Sequence, residues 1–151
     1  MDLTLPLDYA AIERILPHRS PFLLVDRITE FEVDKRIVGI KNVSLNERYL
    51  SRETDGAPVL PPTILTEAVA QVGAIMILAK PENRQRLIYF MGIERVRYRQ
   101  PVYPGDTVEI ERGTPTRREM AFTFDCAANS GPTEEILRVL REELSPRGGA
   151  P

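Results

Sequence analysis

The stretch Ala57-Pro58-Val59-Leu60-Pro61-Pro62-Thr63-Ile64-Leu65-Thr66-Glu67-Ala68-Val69-Ala70-Gln71, which runs on apolar to Ala79, decides the fold. Pro61 and Pro62 suit the entry and first turn of a helix, where a missing N–H or a fixed φ does little harm. From Ala68 to Ala79 the only polar residue is Gln71. A helix with no clean wet face is expected to be buried on every side. Thr63–Ala79 would span roughly 25 Å at 1.5 Å per residue. That is near membrane thickness, but Thr63, Thr66, Glu67 and Gln71 crowd its first half, and a spanning helix wants about 20 mainly apolar residues. The expectation is one helix enclosed by a sheet.

Glu67 and Gln71 lie four residues apart, on one side of that helix. An acid on a buried helix is costly unless it is paired or functional. On an arbitrary helix, a satisfied structural carboxylate would be the ordinary explanation. Here its surroundings make it a candidate site residue.

A chain of 151 residues suits one domain with a sizeable core. An apolar content of 42% and a charged content of 28% are those of an ordinary soluble protein. A net charge of −2 suggests neither nucleic acid nor a membrane surface as partner. The single cysteine, Cys126, cannot form an internal disulfide, which suits a reducing cytosol. Met1-Asp2-Leu3-Thr4 lacks the charged start and apolar run of a secretory signal, so a cytoplasmic location is expected. With one His and one Cys, a zinc site of the usual ligands is nearly excluded. No glycine-rich phosphate loop and no internal repeat are visible, and no cofactor is expected.

Outward from the central helix, Asp8–Leu16 has helical spacing, with Asp8 as N-cap and Pro17 as stop. The apolar run after Pro21 reads as a strand entering the core. Two more strands, around Ile28–Val33 and Arg36–Val43, are separated by Asp34-Lys35. Asn46–Gly56 is polar and irregular. After the break at Lys80-Pro81-Glu82-Asn83, Leu87–Met91 reads as strand. Arg95, Arg97 and Arg99 then alternate with Val96, Tyr98 and Gln100, which would put three arginines on one sheet face. Pro104-Gly105-Asp106 is a turn, and Thr107–Arg112 and Met120–Ala128 are further strands. Glu134–Leu144 is ambiguous and is read as an edge strand. The expected architecture is α+β: an antiparallel sheet wrapped around one long central helix, in a single domain over residues 1–144, with a loose tail over 145–151.

Several segments together resemble one family. They are Leu16-Pro17-His18-Arg19-x-Pro21-Phe22-Leu23-Leu24-Val25-Asp26-Arg27, Gly39-Ile40-Lys41-Asn42-Val43, Pro58-Val59-Leu60-Pro61, Glu67-Ala68-x-Ala70-Gln71 and Pro101-Val102-x-Pro104-Gly105-Asp106. In this order they look like the (3R)-3-hydroxyacyl-[acyl-carrier-protein] dehydratases of fatty-acid synthesis, which have the hot-dog fold. The resemblance covers roughly residues 8 to 128. It implies a histidine base for the proton alpha to the thioester, a helix acid that helps the hydroxyl leave, and a backbone N–H at the helix start for the enolate-like oxygen. The family pattern Gly-His-Phe-Pro-Gly-x-Pro-Val-Met-Pro-Gly is followed five residues later by the acid. Read back from Pro58, its Gly-His-Phe-Pro falls on Arg52-Glu53-Thr54-Asp55. The acid is therefore present as Glu67, the base position holds Glu53, and the glycine facing the thioester is replaced by Pro62, which has no N–H. His18 lies in the entry motif, where the family carries a His that is not the base, and it is read as a structural hydrogen-bonding residue.

Three functions stay open on these residues. One is an active dehydratase using a Glu53/Glu67 carboxylate pair. Another is a thioesterase using Glu67, with Thr63 or Ile64 N–H as the oxyanion donor. The one favoured is a dehydratase-like chain that binds acyl thioesters, with Pro62, Thr63 and Gln71 along the substrate, and with standard dehydration weak or lost. The resemblance implies a substrate on acyl carrier protein or coenzyme A, and docking of an acidic carrier on Arg95, Arg97 and Arg99. A solvated strand face explains those arginines equally well. It also implies a homodimer, or a dimer with a catalytically competent homologue.

Overall fold

In a computed structural model, residues 4–52, 56–88, 93 and 96–113 are described. Their element order is α1 (Tyr9–Ile15), β1 (Arg27–Glu32), β2 (Arg36–Asn42), α2 (Pro62–Leu78), a short 3₁₀ turn at Pro81–Asn83, and β3 (Thr107–Gly113). Glu53, Arg95, three of the five residues of the expected 87–91 strand, the strands expected at 120–128 and 134–144 and the tail at 145–151 lie outside the described residues, as does the expected domain boundary.

α1 begins where Asp8 accepts a hydrogen bond from Ala11 N at 2.8 Å, and it ends at Leu16, just before Pro17. Both ends follow from the sequence: a short acceptor side chain at the N-cap and a residue that cannot continue the helix. β1 and β2 form an antiparallel hairpin whose turn puts Asp34 at φ 61°. Asp tolerates this left-handed conformation better than most residues. In the same turn, the hydrogen bond from Lys35 to Glu32, aided by the carboxylate's charge, holds the Lys35 ammonium pKa above its ordinary value.

The register of β1 against β2 shifts between Ile28 and Glu30. Strict alternation would send Ile28, Glu30 and Glu32 to one face. The bulge resets the phase, so Ile28 is buried and Phe31 half-buried while both glutamates stay in water. β3 pairs with the other edge of β2, from Arg36↔Gly113 to Asn42↔Thr107. The described sheet is thus antiparallel in the order β1-β2-β3.

α2 lies across this sheet. Val72, Ile75, Ala68 and Leu78 pack against Ile28, Ile37 and Ile110, while Ile12 and Leu16 of the α1 region close the same core. The approach is closest at Gly39 of β2, where an added Cβ would come within 2.6 Å of Val72 Cγ2. Gly73 is tight for the matching reason, since a Cβ there would stand 2.6 Å from Arg112 Nη1 of β3. The C-terminal end of α2 is tied down twice: Lys80 Nζ reaches Asp34 Oδ1 at 2.5 Å, and Asn83 Nδ2 donates to Ile77 O at 3.0 Å.

The helix departs from the sequence expectation in one respect. Its buried residues, Ala68, Val69, Gln71, Val72, Gly73, Ile75 and Leu78, leave a stripe of half-buried positions at Glu67, Ala70, Ala74 and Ile77. Among the described residues, α2 is therefore not buried on every side. At 17 residues, α2 is the longest helix described, and no described helix is long and apolar enough to cross a membrane.

Candidate functional site

The N-terminal half of α2 gathers the site. Helical spacing puts Glu67 and Gln71 on one side, and the entry segment Leu16–Leu24 runs past that side. The expected strand after Pro21 does not form. The run instead turns at Arg19, whose carbonyl accepts from Phe22 N at 2.8 Å and Leu23 N at 3.0 Å. It then enters the core as an irregular stretch that meets no neighbouring strand on this side among the described residues. Gln71 supplies the missing partner. Its Oε1 accepts from Leu24 N at 2.9 Å, and its Nε2 donates to Phe22 O at 2.8 Å. One side-chain amide thus does for residues 22–24 what the peptide group of a neighbouring strand would do. The second Nε2 proton goes to Glu67 Oε1 at 3.0 Å.

This arrangement corrects the expected role of Gln71. The residue is 1% exposed and both of its amide protons are used, so it is not open to substrate. It fixes one carboxylate oxygen of Glu67 instead. Glu67 itself is reachable, with 30% of its side chain exposed. A fixed oxygen beside a free one is an arrangement that can accept or deliver a proton at a defined place.

His18, read as structural from the sequence, is brought to the same carboxylate: its Nε2 is 3.7 Å from Glu67 Oε1. Its ring tilts against Phe22, with centroids 6.0 Å apart, and Phe22 meets Tyr49 edge-on at 6.1 Å. The expected structural hydrogen bonds of His18 are not found: Nδ1 is buried without a partner. Proximity across 49 positions of sequence leaves no mark in periodicity. The one available signal was that the chain's only histidine sits four residues before Phe22 in a motif entering the core.

At the helix start, Pro61 is the N-cap residue, Pro62 the first residue of the helix, and no side chain caps the end. Ile64 N donates to Pro61 O at 2.9 Å and Leu65 N to the same oxygen at 3.3 Å. Thr63 N–H is then the first helix donor that no described group accepts. The segment before the helix is held by a mutual pair between Ser51 and Val59, both bonds 3.0 Å, and by Leu60 N donating to Val102 O at 2.8 Å.

Arg97 and Arg99 are both exposed, but residues 96–99 form no strand, so the expected shared sheet face is absent here. The segment is held by side-chain and loop contacts instead: Tyr98 OH lies 2.5 Å from Thr66 Oγ1, which itself donates to Pro62 O at 3.0 Å. The two arginines therefore flank a tyrosine docked on the first turns of α2. An open cleft of about 550 Å³, lined by Leu45, Ala57, Pro58, Tyr103, Pro104 and Gly105, lies along the approach to the helix. None of the expected site residues lines it.

The antiparallel sheet packed against one long helix agrees with the expected hot-dog fold. The family model described as FabA-like domain matches residues 16–131. The 3-hydroxyacyl-[acyl-carrier-protein] dehydratase FabZ of Desulforamulus reducens is 53% identical over 105 residues, covering 70% of this chain and 74% of that protein. The Bacillus subtilis protein of the same name is 46% identical over 125 residues, covering 79% of this chain and 89% of its own length. A bifunctional enzyme LpxC/FabZ of Chlorobaculum tepidum is 46% identical over 122 residues, and the chain spans only 26% of that longer protein. A solved dehydratase heterocomplex, ApeI:P from Xenorhabdus doucetiae, shares the fold at a TM-score of 0.58 and 22% identity, covering 77% of this chain and 75% of that one. The chain belongs to the 3-hydroxyacyl-[acyl-carrier-protein] dehydratase family.

Proposed function

We propose that this chain binds 3-hydroxyacyl thioesters presented by acyl carrier protein or coenzyme A, with Glu67 facing the thioester, and that it carries out standard dehydration slowly. The observation that carries this reading is the state of Glu67. It keeps the family's acid position, remains reachable, and has one oxygen held by Gln71. The losses lie around it. Glu53 stands at the base position, and an unperturbed glutamate, at about pKa 4.3, is a weak base that makes proton abstraction slow. Pro62 removes an N–H where the developing oxyanion needs one, and losing one such donor typically costs about a hundredfold or more. The exposed Arg97 and Arg99 suit an acidic carrier. The half-buried stripe from Glu67 to Ile77 supports a second subunit lying on α2, either a copy of this chain or a competent homologue. The single cysteine supports a reducing, cytoplasmic setting.

The test is incubation with a 3-hydroxyacyl-carrier thioester, following binding, the enoyl product and the free acid together. Binding with turnover well below about one per second supports the proposal. Turnover at that ordinary enzymatic rate or faster refutes it. Free acid in place of enoyl product would instead establish the thioesterase. Sedimentation showing a stable monomer at micromolar concentration would remove the second subunit.

A further inference from the structure

We propose that His18 is a positioning residue of this site: its Nε2–H holds Oε1 of Glu67 and leaves Oε2 as the oxygen that exchanges a proton with substrate. This rests on the acyl-thioester reading above, and it concerns a residue that the sequence assigns to structure alone.

The ring's two nitrogens are in unlike places. Nδ1 is buried and has no partner, whereas Nε2 points at the carboxylate from 3.7 Å. In a neutral imidazole one nitrogen carries the proton and the other accepts. Nδ1 is unpaired in either tautomer, but with the proton on Nδ1 the lone pair of Nε2 would face a carboxylate oxygen that can only accept. The tautomer protonated on Nε2 replaces that repulsion with an N–H facing Glu67. The ring is also held in place from outside. The Arg19 guanidinium donates to the carbonyls of Leu16 at 2.9 Å and His18 at 2.7 Å, fixing the backbone, and Phe22 lies against the ring.

Gln71 Nε2 already donates to the same oxygen at 3.0 Å. Two N–H groups therefore converge on Oε1, and no described group donates to Oε2. A separation of 3.7 Å is longer than a hydrogen bond by more than half an ångström. Contacts of this kind are often long in unliganded sites and tighten when substrate expels water. The step served is balanced within the substrate. The α C–H bond breaks, its proton goes to Oε2, and its electron pair passes into the thioester as an enolate. The bond to the 3-hydroxyl then breaks, the departing oxygen takes that same proton and leaves as water, and the double bond remains.

The chain holds one histidine, so its ring signals need no assignment. The first arm is ¹⁵N NMR of the histidine-labelled protein without ligand. The expected spectrum is that of the Nε2–H tautomer, with the Nε2 resonance moving in Glu67→Gln. The second arm measures exchange of the α-proton of a 3-hydroxyacyl-pantetheine thioester in heavy water, alongside its dissociation constant. His18→Phe keeps a ring against Phe22 but has no donor, and it should lower exchange about ten- to a hundredfold, the usual effect of losing a hydrogen bond to a charged group. His18→Gln restores an N–H near the Nε2 position and should stay within about threefold of the wild type. Affinity should hold in both variants. An Nδ1–H spectrum, an unchanged rate in His18→Phe, or equal losses in both variants overturns the role of His18 and leaves the thioester reading intact. Wild-type protein that neither binds nor exchanges the thioester overturns that reading, and this proposal with it.

Discussion

Gln71→Leu should destabilise the protein by about 2–4 kcal/mol, a large effect for a substitution that preserves volume. The magnitude follows from what each lost hydrogen bond leaves behind. Leu24 N–H is buried and would lose its only acceptor, which typically costs about 1–3 kcal/mol. Phe22 O and Glu67 Oε1 are only partly buried and can turn to water, so their loss together is nearer the net value of an ordinary bond, about 1 kcal/mol. Leucine fills nearly the same space, so a cavity adds little. With a urea m-value of about 2 kcal/mol/M, the midpoint should fall by about 1–2 M at constant m. Hydrogen exchange gives a local check, since the Leu24 amide should lose protection before β2 does. A loss below about 0.5 kcal/mol, or a Leu24 amide as protected as before, would refute the claim that one side chain serves as a strand for residues 22–24.

Gly39→Ala should cost about 1–3 kcal/mol in the same urea assay, because its Cβ would enter Val72 Cγ2 at 2.6 Å. Adding Val72→Ala should recover part of that loss, and a neutral Gly39→Ala would mean that α2 can lift off the sheet freely. Glu53→His and Pro62→Gly should together raise dehydration by more than the product of their single effects, since groups acting as one unit are non-additive. Glu67→Gln in that double variant should abolish the gain, and a folded double variant that stays inert would show that Glu67 no longer meets a thioester.

The sequence carried most of the described part of the fold because its signals were local. The proline doublet and the apolar run placed α2 to within a residue at each end, Pro62–Leu78 against an expected start at Thr63 and end at Ala79. Asp34-Lys35 and Pro104-Gly105-Asp106 marked turns through residues that tolerate unusual φ, and Gly105 sits at φ 101°. The expected strand after Pro21 failed because its hydrogen bonds go to the side chain of Gln71, which no period-2 pattern reveals. Residues 96–99 likewise form no strand, since Tyr98 fastens this segment to Thr66 where a ladder was expected. The approach of His18 to Glu67 was not legible, because it is set by tertiary packing across 49 positions of sequence. The bulge at β1 was invisible too, although Ile28 and Phe31, three residues apart, already conflict with strict alternation.

The helix start argues for binding ahead of catalysis on its own terms. An α-helix ordinarily leaves four N–H groups without intrahelical partners at its beginning, and these make it a site for developing negative charge. Here Pro61 and Pro62 have none to offer, and Ile64 N is turned inward onto Pro61 O at 2.9 Å. Thr63 N–H alone remains. Its position is about 100° around the axis and 1.5 Å along it from the residue the family uses. A neutral thioester carbonyl needs one donor and tolerates a shifted one. An oxyanion gains most from donors already aimed at its place, and a single displaced N–H supplies little of that. On the function proposed above, the proline doublet that specifies the helix so clearly in the sequence would also weaken its chemistry, independently of which residue stands at position 53.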